Sequence, residues 1–341
     1  MSTIKDIAKL AGVSPTTVTN VLHKNYARVS KETREKVEKY IEKCNYAPNM
    51  GARILGQNDS RIIGVIMFME PRWNETVLED PFSSSIIGSI EKELHSLGYY
   101  FMLQTTTSQQ EVVQLAKTWK LAGLILVWVP KDIAPTILDS VESPVVFIDS
   151  YFEDKEKTYY DIGLKDEKGG YLIAQHLISN GHKKAMFFTN DKSFAGTDLN
   201  RYKGCKKAFD EANLEFDLDN IIFLSKEKDE RYKAYSNVTS KEMPYTALIF
   251  SSDYYAAEAI SYLHDSGINI PNDISITGYD DNIFSRIVQP HLTTIHQDSD
   301  EKGILAVSML MKLIKKEPIE EKIKKLDVKL IVRDSVKNIN K

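Results

Sequence analysis

Residues 3–22, TIKDIAKLAGVSPTTVTNVL, arrange two helical patterns around a single glycine. Thr3, with Asp6 three positions on, has the form of a capping box, and Ile4, Ile7, Ala8 and Ala11 recur at helical spacing. Gly12 is the residue type that tolerates the left-handed stop such a helix needs. Ser14 followed by Pro15 opens a second helix, the serine as cap and the proline where its missing N–H does no harm. Val18, Val21 and Leu22 then face inward, and a third pattern after Ser30 puts Val37, Tyr40, Ile41 and Cys44 on one side. Two helices about a tight turn with a supporting third make a helix-turn-helix. The exposed side of the second helix carries Thr16 and Asn20 one turn apart, with Pro15 and Thr17 at its start. Short polar side chains there can reach base edges and phosphates in a major groove. A three-helix cap with a solvated surface has the same pattern.

The charge distribution bears on that choice. The 341 residues carry a net charge of −4, which by itself advertises no nucleic-acid partner. Residues 1–60 nevertheless hold ten Lys/Arg against six Asp/Glu, a surplus of four, so the rest of the chain stands at −8. A basic head on an acidic body fits an anion-binding head. Two distant cysteines, Cys44 and Cys205, suit neither a disulfide framework nor a zinc site. No apolar signal core or membrane-length run is present, which predicts a cytoplasmic protein that does not meet a membrane.

From Arg61 onward, continuous apolar runs alternate with helical stretches: 62–69, 100–105, 122–129, 144–149, 184–189, 220–224, 245–250 and 273–281. That alternation predicts parallel strands covered by helices on both faces. About 270 residues exceed one comfortable core, and a break near 160 divides the strands into two doubly wound lobes. Ligands of such sheets bind beyond the carboxyl ends of strands. Asp149, Arg201 and Asp280 stand at such places, where a loop-exposed acid or a helix-cap partner would look the same. Nucleophile elbow, P-loop, G-x-G-x-x-G and H-E-x-x-H motifs are absent, and the seven histidines are scattered, so neither an enzyme, a cofactor nor a metal is expected.

The run TIKDIAKLAGVSPTTVTNVLHKN, followed by VSKETREKVEKYIEKCNYAPNMGARIL, resembles the LacI/GalR family of bacterial transcriptional regulators, and the likeness extends over the whole chain. The resemblance implies an all-α helix-turn-helix head (1–44), a hinge helix (45–60), and a two-lobed α/β core like that of periplasmic sugar-binding proteins. One lobe would be 61–161 plus 291–318 and the other 162–290 plus 319–333, with HLTTIHQD (291–298) as a crossover and 334–341 as a tail. By position the operator would be read by Pro15, Thr16 and Asn20. Arginine is usual at position 20, and asparagine suits adenine rather than guanine. Leu55 matches a leucine that wedges between base pairs in the minor groove.

In the core the resemblance implies effector contacts from Asp149, Arg201 and Asp280, with Asp80, Phe82, Trp128 and Ser252 as further candidates. It further implies a homodimer on a near-palindromic operator, with contacts from Ile86, Ile87, Ile90 and Leu94 and from the region Tyr254–Leu263. VKNINK (336–341) has no leucine heptad for a tetramer. The function implied is a repressor of carbohydrate-metabolism genes, switched by a sugar or sugar phosphate between the lobes. The alternative is a catabolite-control regulator that senses a phosphorylated carrier protein.

Overall fold

The computed structural model describes residues 3–22, 24–46, 60–69, 76–152, 158–190, 194–239 and 244–340. The chain divides into two units, 1–60 and 61–341. The connector residues 47–59, Leu55 among them, lie outside the described residues.

In the first unit, α1 (Ile4–Ala11) begins with Thr3 Oγ1 accepting from Asp6 N at 3.3 Å while Thr3 N donates to the Asp6 carboxylate at 2.8 Å. Gly12 ends it at φ +64°, where a Cβ would be strained. α2 (Pro15–Leu22) is capped by Ser14, whose Oγ accepts from Thr17 N at 3.1 Å, and α3 (Lys31–Lys43) by Ser30. Ile7, Ala8, Ala11, Val18, Val21 and Val37 form the core. Tyr40, Ile41 and Cys44 are only half buried at its margin.

The second unit contains two parallel sheets. Its elements run β1 (Ile62–Phe68), α4 (Pro81–Ser96), β2 (Tyr100–Thr106), α5 (Gln109–Trp119), β3 (Gly123–Val127), α6 (Ala134–Ser140), β4 (Val145–Ile148) and β5 (Asp161–Leu164). They continue with α7 (Asp166–Ser179), β6 (Ala185–Thr189), α8 (Gly196–Glu211), β7 (Ile221–Phe223), α9 (Lys228–Val238), β8 (Ala247–Phe250), α10 (Asp253–Asp265) and β9 (Ser275–Thr277). Last come α11 (Ile283–Ile287), β10 (Thr294–His296), α12 (Ser299–Lys315), β11 (Ile323–Leu326) and β12 (Lys329–Ile331). The first sheet has the order β11-β5-β4-β3-β1-β2 and the second β7-β6-β8-β9, while β10 and β12 form a separate antiparallel pair. All eight apolar runs contain strands. Apolar side chains pack on both faces of each sheet, as parallel sheets require.

Three expectations need correction. β5 lies beside β4 in the first sheet and β11 pairs parallel with it, from Ile323 opposite Asp161 to Leu326 opposite Leu164, so 162–164 and 319–326 belong to the first lobe and not the second. Its sequence, IKKL, lacks the apolar run of a central strand because it sits at a sheet edge. The end of the chain is not a loose tail: Ser335 is fully buried, its O accepts from Ile276 N at 2.9 Å, and Ile339 N donates to Asn180 O at 2.8 Å. Finally, Ile86, Ile87, Ile90 and Leu94 are buried in the protomer's own core with Val307 and Leu310 of α12, so they cannot form the dimer face.

Candidate DNA-reading helix and interlobe cleft

On α2, Pro15 and Thr16 are exposed, and Thr17 and Asn20 are half buried. The Thr17 hydroxyl lies 3.0 Å from Ser14 Oγ, so this residue belongs as much to the cap as to the reading face. Asn20 is held by its backbone, its O accepting from Asn25 N at 2.9 Å. Its carboxamide carries no side-chain hydrogen bond among the described residues. A free donor–acceptor pair on a rigid helix is what bidentate recognition of adenine needs.

In the core, the strand ends of both lobes bring their charged groups to one cleft. Asp149, after β4 at φ +53°, accepts from Lys302 Nζ of α12 at 2.5 Å. Both side chains are almost wholly buried. Burial raises the Asp149 carboxyl above its ordinary range, against the pull of Lys302. Lys302 Nζ also donates to Gln297 Oε1 at 3.0 Å, and Gln297 Nε2 to Asp280 Oδ1 at 2.5 Å. Burial pushes the Asp280 carboxyl up to about 7, with the Arg201 charge opposing the rise.

Arg201, on α8, donates from Nε to Asp166 Oδ1 at 2.9 Å and from a terminal nitrogen to Ser251 O at 2.5 Å. Its guanidinium lies 3.6 Å from the centre of the Tyr279 ring. Burial is the largest single influence and would weaken its charge, but Asp166, Tyr279, Asp198 and Asp280 together outweigh it and the pKa is raised. The second lobe can hold this pair because α7 and α8 touch backbone to backbone. A Cβ on Gly170 would meet Arg201 O at 1.8 Å, and one on Gly204 would meet Glu167 O at 1.9 Å. From the first lobe, the Tyr151 hydroxyl donates to Asp166 and lies 3.5 Å from Asp149 Oδ1. Burial with Asp149 nearby also raises Asp161, on β5, to about 7.

Among the other candidates, Phe82 is buried and stacks on half-buried Trp128 at 5.8 Å and 22°. Asp80 caps α4, accepting from Ser83 N at 3.3 Å and Ser83 Oγ at 2.6 Å, and is close enough to raise Asp280. Ser252 sits at the start of α10 with its Oγ buried and, among the described residues, without a hydrogen-bond partner. The structure therefore brings Asp149, Arg201, Asp280, Asp80, Phe82 and Trp128 into one connected region, and Ser252 adjoins it through Ser251.

Lys302, Gln297, Asp166 and Tyr151 were missed by the sequence reading. A signal existed for the lysine: Lys302 is in step with Ala306, Met309 and Leu310 on the inward face of α12. The charged groups of the cleft pair with one another in this structure. Open grooves of about 410 and 280 Å³ run along α5 and share no lining residue with it.

Comparison with known proteins bears on both parts. Residues 3–49 match the family model of bacterial regulatory proteins, lacI family, and residues 174–336 that of a periplasmic binding protein-like domain. The HTH-type transcriptional repressor PurR of Histophilus somni is 33% identical, covering 99% of this chain and 100% of its own. The lac repressor dimer bound to operator and the anti-inducer ONPF superposes with a TM-score of 0.85 at 24% identity, covering 98% of this chain and 99% of its own. The cellobiose complex of the transcriptional regulator CelR gives 0.72 at 23% identity, over 98% of this chain and 100% of its own.

Proposed function

Because the chain belongs to the LacI family of bacterial regulatory proteins, we propose that it represses carbohydrate-metabolism genes and that a neutral sugar, bound between the lobes of the core, sets its affinity for DNA. At the coarser level it is a DNA-binding transcriptional repressor with an effector-binding domain, and not an enzyme. Among the described residues no helix is long and apolar enough to cross a membrane.

The observation that carries the sugar reading is the convergence of Asp149, Asp280 and Arg201 with the Phe82–Trp128 stack. Carboxylates accept from hydroxyls, a guanidinium donates to them, and an aromatic face covers the apolar side of a pyranose or furanose ring. Lys302 and Arg201 are already paired with Asp149 and Asp166, so no uncompensated cation awaits a phosphate, which disfavours the phosphorylated ligand that the sequence left open. The cellobiose bound by CelR is consistent with this choice.

The protein works in this proposal as a homodimer on a near-palindromic operator, with Pro15, Thr16, Thr17 and Asn20 of each copy at successive major grooves. The effector switches the dimer by binding its DNA-competent and incompetent forms unequally, by about 1–3 kcal/mol for an ordinary coupling. Leu55 and the rest of the connector carry the coupling to the head. The test is to measure the affinity of the full-length protein for DNA from its own promoter, alone and with neutral sugars, sugar phosphates and a phosphorylated carrier protein. A change of about 5- to 150-fold with a neutral sugar supports the proposal. A response confined to phosphorylated ligands or to the carrier overturns it.

A further inference from the structure

Lys302 occupies a position where lysine is rare. It is 0% exposed on the inward side of α12, and a buried ammonium is tolerated only with partners that satisfy it. Those partners delimit what the site can recognise. An ammonium has three donors. One goes to Asp149 Oδ2 at 2.5 Å and one to Gln297 Oε1 at 3.0 Å. The third meets, among the described residues, only the face of Phe82, whose centre lies 5.0 Å from Nζ. Phe82 in turn stacks on Trp128. A charged donor with spare capacity, a carboxylate acceptor and an aromatic face thus converge on one wall of the first lobe.

We infer that Lys302 is a specificity-determining residue of the effector site, donating its third N–H to one oxygen of a ring-shaped neutral polyol that lies on the Phe82–Trp128 stack, while Asp149 accepts from the adjacent hydroxyl. This rests on the sugar reading above and narrows it to ligands with two neighbouring oxygens beside an apolar ring face. Lys302 and Asp149 balance each other's charge before any ligand arrives, and Asp280 lies one glutamine away. An oxygen bringing its own negative charge would meet no uncompensated cation, so the pair favours a vicinal diol over a phosphate or carboxylate. A charge-assisted hydrogen bond to a buried ammonium discriminates strongly against a ligand lacking the oxygen.

The experiment is calorimetric titration of the full-length protein with glucose, galactose, ribose and cellobiose, then with the singly deoxygenated forms of whichever binds. It is run on the wild type, on Lys302→Met, and on the charge-neutral pair Asp149→Asn with Lys302→Met. Lys302→Met should weaken the parent sugar by about 10- to 100-fold, and one deoxy sugar should lose a similar factor on the wild type. That same deoxy sugar should lose nothing further on Lys302→Met, which is the signature of a direct contact. Equal losses for the parent and every deoxy form would mean that Lys302 only positions Asp149 and Gln297, and would overturn the inference while leaving the sugar reading intact. So would unchanged sugar binding by Lys302→Met. If that variant fails to fold because Asp149 is left unpaired, the double variant carries the same comparison without an orphaned charge. A wild type that binds none of these sugars ends both readings.

Discussion

The reading helix and the interlobe cleft are opposite solutions to placing polar groups. On α2 the candidate residues are exposed or half buried, lie within six positions of one another, and follow a serine cap that bonds Thr17 three residues on. In the cleft the groups are buried, and Asp149 meets a lysine 153 positions away while Arg201 meets an acid 35 positions away. Local placement in water has small energies and leaves the side chains open to a partner. Long-range placement in a buried interior ties folding to ligand chemistry, because most of the charged groups a ligand would use are already paired within the protein. Mutations should therefore cost stability in the cleft and only affinity or local order in the head.

Breaking the Arg201–Asp166 pair gives the largest test. Its side chains are 7% and 0% exposed, so Arg201→Met leaves a buried carboxylate without its cation and should cost about 3–5 kcal/mol. Urea unfolding of the core, followed by circular dichroism, would register it, and Asp166→Asn in the same chain should recover most of the loss. A loss below about 1 kcal/mol would mean that Asp166 carries no charge needing the guanidinium, and the contrast with the head would weaken.

The cleft should also respond to pH where the head does not. Asp161 and Asp280 hold folded-state values of about 7, raised by burial from 3.8. A carboxyl raised in the folded state binds protons that the unfolded chain has released. Its stabilising contribution is fully present below pH ~4 and is lost as pH rises through ~7, with a limiting slope of about 1.4 kcal/mol per pH unit for each group. Between pH 5 and 7 the core should become less stable as pH rises, and Asp280→Asn should flatten part of that slope. An identical profile for the variant would show that this carboxyl is already ionised in the folded protein.

How much was legible follows the same division. The head could be read residue by residue because Thr3, Gly12, Ser14 and Ser30 act on neighbours in sequence. The central strands were legible because burial on both faces makes each an unbroken apolar run. β5 and β11 were not, since DIGL begins with a buried acid and IKKL has two lysines in four residues at a sheet edge. In the cleft, Asp149, Arg201 and Asp280 were pointed to by their places at strand ends and by family resemblance, which supplied positions but not partners. Lys302 was invisible until a helix face could be drawn through Ala306, and Asp166 and Tyr151 looked like ordinary loop and helix-start residues. Gly170 is explained by α8 pressing its backbone against α7, and Gly169 by the Tyr279 ring that would meet a Cβ there.

The smallest effect belongs to Thr3. Its hydroxyl accepts from Asp6 N, and that hydroxyl and its own N–H both donate to the Asp6 carboxylate, which holds the Asp6 carboxyl below its ordinary range. Thr3→Ala removes the hydroxyl's bonds and should cost the head about 1 kcal/mol, the usual worth of a helix N-cap. Amide exchange in residues 4–11 should quicken by roughly fivefold at that cost. Because the bonds are local and exposed, exchange in the core strands should stay as it was. Faster exchange in β4 or β8 as well would mean that head and core share one cooperative unit, and that the division between locally set and distantly set polar groups does not hold in this molecule.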